Sequence, residues 1–160
     1  MKKARLLLTA SMLTIAGFAS VTLTSCSKDD KICNEGYEGS NCDVEVRTKF
    51  LGQWSAQDRK EDGTQLPAYT ANVVKNPSSI SKMNIGGFSG IPSNGGFAAD
   101  VIVSASGTTF TIPPQEPDAD GFSVEGNGFI NSAGNSITVN YNITKISTGQ
   151  VNKYTGTWTK

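Results

Sequence analysis

The stretch Ile137-Thr-Val139-Asn-Tyr141-Asn-Ile143-Thr144 alternates apolar and polar side chains without a break. Successive side chains of a strand point to opposite faces, so four apolar groups fall on one side and four polar groups on the other. A helix would scatter that set around its axis. The segment therefore predicts a half-buried antiparallel strand. Tyr154-Thr-Gly156-Thr-Trp158-Thr159 repeats the pattern at the C-terminus.

Further strands are expected at residues 50–56, 69–74, 81–85, 99–105, 109–112 and 122–130. In these, Phe50, Gly52, Trp54 and Ala56 share one face, and Phe110 and Ile112 point inward. Gly126 and Gly128 are expected to break the strand at 122–130. Ser106-Gly107 is spaced for a hairpin, and Ala133-Gly134-Asn135 reads as a turn. Pro113-Pro114 should end its strand, because proline has no N–H for a ladder. Residues 86–96 carry so many glycines that a long mobile loop is expected there. The fold class is all-β: an antiparallel sheet of about eight strands.

The N-terminus carries a separate message. Lys2, Lys3 and Arg5 precede an uncharged, mostly apolar run over 6–23, followed by Leu23-Thr-Ser-Cys26. A basic segment, an apolar segment and a small residue before a cut describe a secretory leader over 1–25, outside the fold. Leu-x-Ser-Cys resembles the lipobox of bacterial lipoproteins, which implies diacylglycerol on the Cys26 thiol. A multi-chain lipid is what stable attachment needs. Lys28-Asp29-Asp30 resembles the short acidic export signal of Bacteroidota surface lipoproteins. The implied address is the outer membrane of a Gram-negative bacterium, facing outward.

With Cys26 lipidated, Cys33 and Cys42 remain as a pair that an oxidising compartment permits to bond. Cys33-Asn-Glu-Gly36-Tyr37-Glu-Gly39-Ser-Asn-Cys42 is similar to the last disulfide loop of an EGF-like module, over these ten residues only. Residues 26–46 thus read as a lipidated tether with a stapled loop, and 47–160 as the folded domain. Removing the leader takes away three cations and leaves 11 basic against 14 acidic side chains, a net charge of −3. That opposes a nucleic-acid partner, which wants a basic patch.

Leu51-Gly52-Gln53-Trp54 resembles the Gly-x-Trp with which lipocalins open their first strand. With the terminal Tyr154-Thr-Gly-Thr-Trp158 it is similar to the small lipocalin-like, or calycin-like, lipoproteins of Bacteroidota. The resemblance implies an up-and-down barrel of about eight strands. In it Trp54 and Trp158 are structural and share one core. Lipocalins pack a late Arg over the first Trp, but this chain has no Arg after Arg59, so that contact is absent or replaced by Lys153 or Lys160.

The chemistry is narrow. The chain has no His, which removes His-based triads and general bases. Ser79-Ile-Ser-Lys82 matches Ser-x-x-Lys without its partner motifs. Asp100 and Glu125 are carboxylates in strand regions with no cleft to define them as a pair. Glu116, Asp118 and Asp120 precede Gly121 and form a weak calcium candidate, with a solvated acidic turn as the plainer reading. No cofactor is expected. Phe88, Phe97, Tyr69 and Phe122 are candidates to line a ligand mouth near residues 86–97, since loops carry function. The expected role is a non-enzymatic binding module for a small apolar ligand or a glycan. The alternative is a protein-interaction module acting through residues 33–42.

Overall fold

A computed structural model describes residues 32–88, 97–117 and 119–160. The expected leader, Cys26 and residues 89–96 of the expected loop lie outside these. Ten strands follow in order: β1 (Tyr37–Glu38), β2 (Val44–Glu45), β3 (Gly52–Lys60), β4 (Tyr69–Lys75), β5 (Lys82–Phe88), β6 (Phe97–Val103), β7 (Thr109–Gln115), β8 (Phe122–Ile130), β9 (Ser136–Lys145) and β10 (Gln150–Thr159). A 3-10 turn, Val46–Phe50, precedes β3. Strands β3 to β10 form a closed antiparallel barrel of eight strands, with β10 paired to β3 across the seam. Closure pairs each barrel strand with a neighbour on both sides.

Alternation fills the interior. Ile137, Val139, Tyr141 and Ile143 of β9 are buried, as the pattern requires. Trp54 and Trp158 are both fully buried in one core. Their rows differ in size across the barrel. Gly128 leaves room for the Phe110 ring, and Gly156 for the Asp58 carboxylate, which would otherwise meet a Cβ. Small residues opposite large ones let a narrow barrel pack without voids.

Several elements depart from expectation. β3 begins at Gly52, not at residue 50. Gly52 is exposed at φ +114°, and Phe50 reaches the core from the 3-10 turn instead. β5 runs through Gly86 and Gly87 to Phe88, where a mobile loop was expected. The register shifts between Ile85 and Phe88, and Gly87, at φ +78° beside the Thr70 carbonyl, makes that bulge possible. β6 spans Phe97–Val103, so Ser104 and Ala105 belong to the following turn. Pro113 and Pro114 do not end β7. They sit within the register shift between Ile112 and Gln115, where a bulge relieves them of ladder bonds. Gly126 and Gly128 do not break β8. Their missing side chains admit Phe110 and the β9 backbone.

One end of the barrel is a floor. Val46 and Phe50 enter it, Phe50 meets Phe110 edge-on at 5.5 Å, and Trp54 Nε1 donates to the Phe50 carbonyl at 2.7 Å. Lys160 takes the place expected of a late cation: its Nζ lies 4.2 Å from the Trp54 ring centre and donates to the Leu51 carbonyl at 3.0 Å. Lys153 instead pairs with Glu61 at 3.2 Å. The Cys33–Cys42 disulfide is formed, and the β1–β2 hairpin it staples packs against this floor. Packing continues across residues 45–47, with Val46 N–H donating to the Gly36 carbonyl at 2.9 Å and Arg47 buried.

Candidate functional site

Two polar groupings stand out, one inside the wall and one on it. Inside, Asp58 occupies an inward position of β3, two residues beyond Ala56, and is fully buried. Its Oδ2 accepts from the phenols of Tyr69 at 2.8 Å and Tyr141 at 2.5 Å. Tyr154 stacks on Tyr141 at 5.0 Å, and Phe88 meets Tyr141 and Trp158 edge-on at 4.6 and 5.7 Å. Asp58 Oδ1 and Trp158 Nε1 both abut Gly156, near enough to favour each other electrostatically but outside hydrogen-bond geometry.

Burial pushes the Asp58 carboxyl above its ordinary value; the Tyr141 and Tyr69 donors, and the nearby Trp158 N–H dipole, pull it part of the way back. Burial, then the facing Asp58 charge, raises the phenols of Tyr141 and Tyr154. The grouping ties β3, β4 and β9 together beside the barrel seam. Asp58 and Tyr141 are buried and Tyr69 is half-buried, so the grouping serves the packing of the barrel wall.

The second grouping is a concavity of about 530 Å³ on the outer wall of β7 to β10. Register arranges its side chains in two rows. Thr111, Asn127, Asn140 and Thr155 are cross-strand partners in the first. Glu125, Asn142 and Lys153 form the second, and Glu61 extends it by pairing with Lys153. These are the wet half of the alternation that predicted the fold. Some bond along the rows: Asn142 Nδ2 to Glu125 Oε1 at 3.2 Å, and Thr155 Oγ1 to Asn140 Oδ1 at 3.0 Å. The β7 bulge places Pro114 at the margin. Amides, hydroxyls, carboxylates and an ammonium thus face solvent together, each with hydrogen-bonding capacity to spare.

No protein-family model matches the chain, and no curated protein matches it. Among solved structures, it is similar to a structural-genomics protein of unknown function from Bacteroides ovatus, at 11% identity and a TM-score of 0.41. The likeness covers 68% of this chain, which spans 40% of the length of that one.

The expected mouth residues divide. Phe88 is buried in the aromatic packing around Tyr141, and Tyr69 is half-buried on Asp58. Phe122 is partly buried against the core. Phe97 opens β6 opposite Phe88, and its side chain lies outside the described residues. In the calcium candidate, Glu116 Oε1 accepts from Gly121 N–H at 2.9 Å and Asp120 Oδ1 from Phe122 N–H at 3.0 Å. Asp118 lies outside the described residues. Among the described residues no His, Cys, Asp or Glu group of three or more is arranged to hold a metal. The sequence reading missed Asp58 and the asparagine rows. Asp58 was detectable as the one carboxylate at the inward parity of Trp54 and Ala56.

Proposed function

We propose that the mature chain is a lipid-anchored, surface-presented, non-enzymatic binding module that takes a glycan along the two-row groove of its outer wall. The observation that carries this reading is the groove's chemistry. Three amides, two hydroxyls, two carboxylates and an ammonium line it, a match for the alternating donors and acceptors of sugar hydroxyls. The packed interior favours this over an apolar ligand: Trp54, Trp158, Phe50, Phe110 and Met83 occupy the volume such a ligand would need. The lipobox at Cys26 and the acidic residues after it support the envelope address.

The test is a glycan array probed with residues 27–160, followed by titration of the best oligosaccharide. Asn140→Ala with Asn142→Ala should weaken binding at least tenfold while leaving the melting temperature near wild type, since both groups are on the surface. An array with no bound glycan, or a double variant that binds like wild type, removes the reading. A protein contact through the disulfide hairpin is a second reading, favoured by the exposure of Ile32 and Val44. Crosslinking in intact cells would recover a specific protein in that case.

A further inference from the structure

The stapled hairpin is welded to the barrel rather than hung from it. Arg47, almost wholly buried, donates through Nη1 to the carbonyls of Asn76, Ser79 and Lys82 at 2.8, 2.7 and 2.7 Å. All three carbonyls lie at or beside the β4–β5 turn. Its Nε holds Glu45 at 2.9 Å, and Glu45 in turn holds Lys75 at 2.9 Å. Lys49 bonds Glu38 of the hairpin at 2.8 Å. Gly36 closes against Ile80, and Gly107 of the β6–β7 turn lies under Val46, Lys49 and Glu38. Charge-assisted bonds from a buried guanidinium to three carbonyls are of the strong kind. Val46 and Phe50 add apolar burial on the same side.

From this geometry, and resting on the lipid-anchor reading, we infer that residues 33–50 are a rigid pedestal. It sets the barrel floor against the lipid surface and turns the β3–β4, β7–β8 and β9–β10 ends outward. Seven residue steps separate Cys26 from Cys33. Fully extended they reach about 25 Å, and as a flexible chain about 15 Å r.m.s.. The ten residues of β10, at barrel tilt, already span roughly 25 Å of height. The opposite end would therefore need a fully stretched tether to meet the membrane. The second row of the groove, at Glu125, Asn142, Lys153 and Glu61, lies on the outward half of the wall, because Glu61 opens the β3–β4 connection.

The full-length lipidated chain, inserted in phosphatidylethanolamine–phosphatidylglycerol liposomes carrying a headgroup nitroxide lipid, tests this. A fluorophore is placed on Ala133→Cys in the floor turn or on Ser147→Cys in the outward turn; both positions are exposed. The expected result is several-fold stronger quenching at 133 than at 147. Inserting roughly twenty Gly-Ser residues after Lys31, which doubles the r.m.s. reach, should level the two. Equal quenching in the uninserted protein, with mass spectrometry showing acyl on Cys26, overturns the pedestal alone. An unacylated chain that stays in solution overturns the anchor reading beneath it.

Discussion

Asp58 is the residue on which the seam turns. It reaches from β3 across the glycine of its β10 partner, Gly156, to a phenol on β9. Tyr141→Phe removes a donor from a buried carboxylate and should cost about 1.5–3 kcal/mol in denaturant melts. Gly156→Ala drives a methyl into that carboxylate and should cost about 1–3 kcal/mol by overpacking. The pH dependence follows from burial. The native carboxyl keeps its proton to higher pH than the unfolded chain does. Stability from the protonated form is therefore full below the unfolded value of about 3.9 and drains away as pH climbs through the raised native value. Glu45 acts oppositely: Arg47 and then Lys75 hold it below its ordinary value, so its contribution is lost as pH falls. Subtracting the melting curve of Asp58→Asn cancels Glu45. The stability of wild type minus variant should fall as pH rises from about 4; a difference that rises instead contradicts a buried, raised Asp58.

At the scale of elements, strand identity was legible wherever one face is dry. β9 shows this best, because every second residue from Ile137 to Ile143 is apolar and buried. Strand ends were less legible, and at β5 and β7 for one cause. Gly86, Gly87, Pro113 and Pro114 carry local preferences against a strand, and bulges let the closed barrel override them. Gly126 and Gly128 looked like interruptions because their partners, Tyr141 and Phe110, are distant in sequence. The groove was illegible for a related reason. Its asparagines were read as the wet side of a strand, and only register aligns them into rows. Trp54→Ala and Trp158→Ala should each cost roughly 3–5 kcal/mol, read from urea midpoints. Replacing both Cys33 and Cys42 by Ser removes a ten-residue ring and should cost roughly 2.5–3 kcal/mol.

For the whole molecule, one alternation does two jobs. Its dry half closes a barrel around two tryptophans, and its wet half writes a hydrogen-bonding surface on the wall. A full interior and a polar exterior are thus two consequences of the same period of two. The most direct measurement is an ¹⁵N-labelled amide spectrum of residues 27–160, titrated with the oligosaccharide that binds best on the array. Shifts should gather on Asn127, Asn140, Asn142 and Thr155, with interior positions such as Val139 and Ile143 nearly still. Shifts centred instead on Phe88, Tyr69 and Phe122, with the asparagine rows unmoved, would place the ligand at the barrel mouth and contradict a wall-bound glycan.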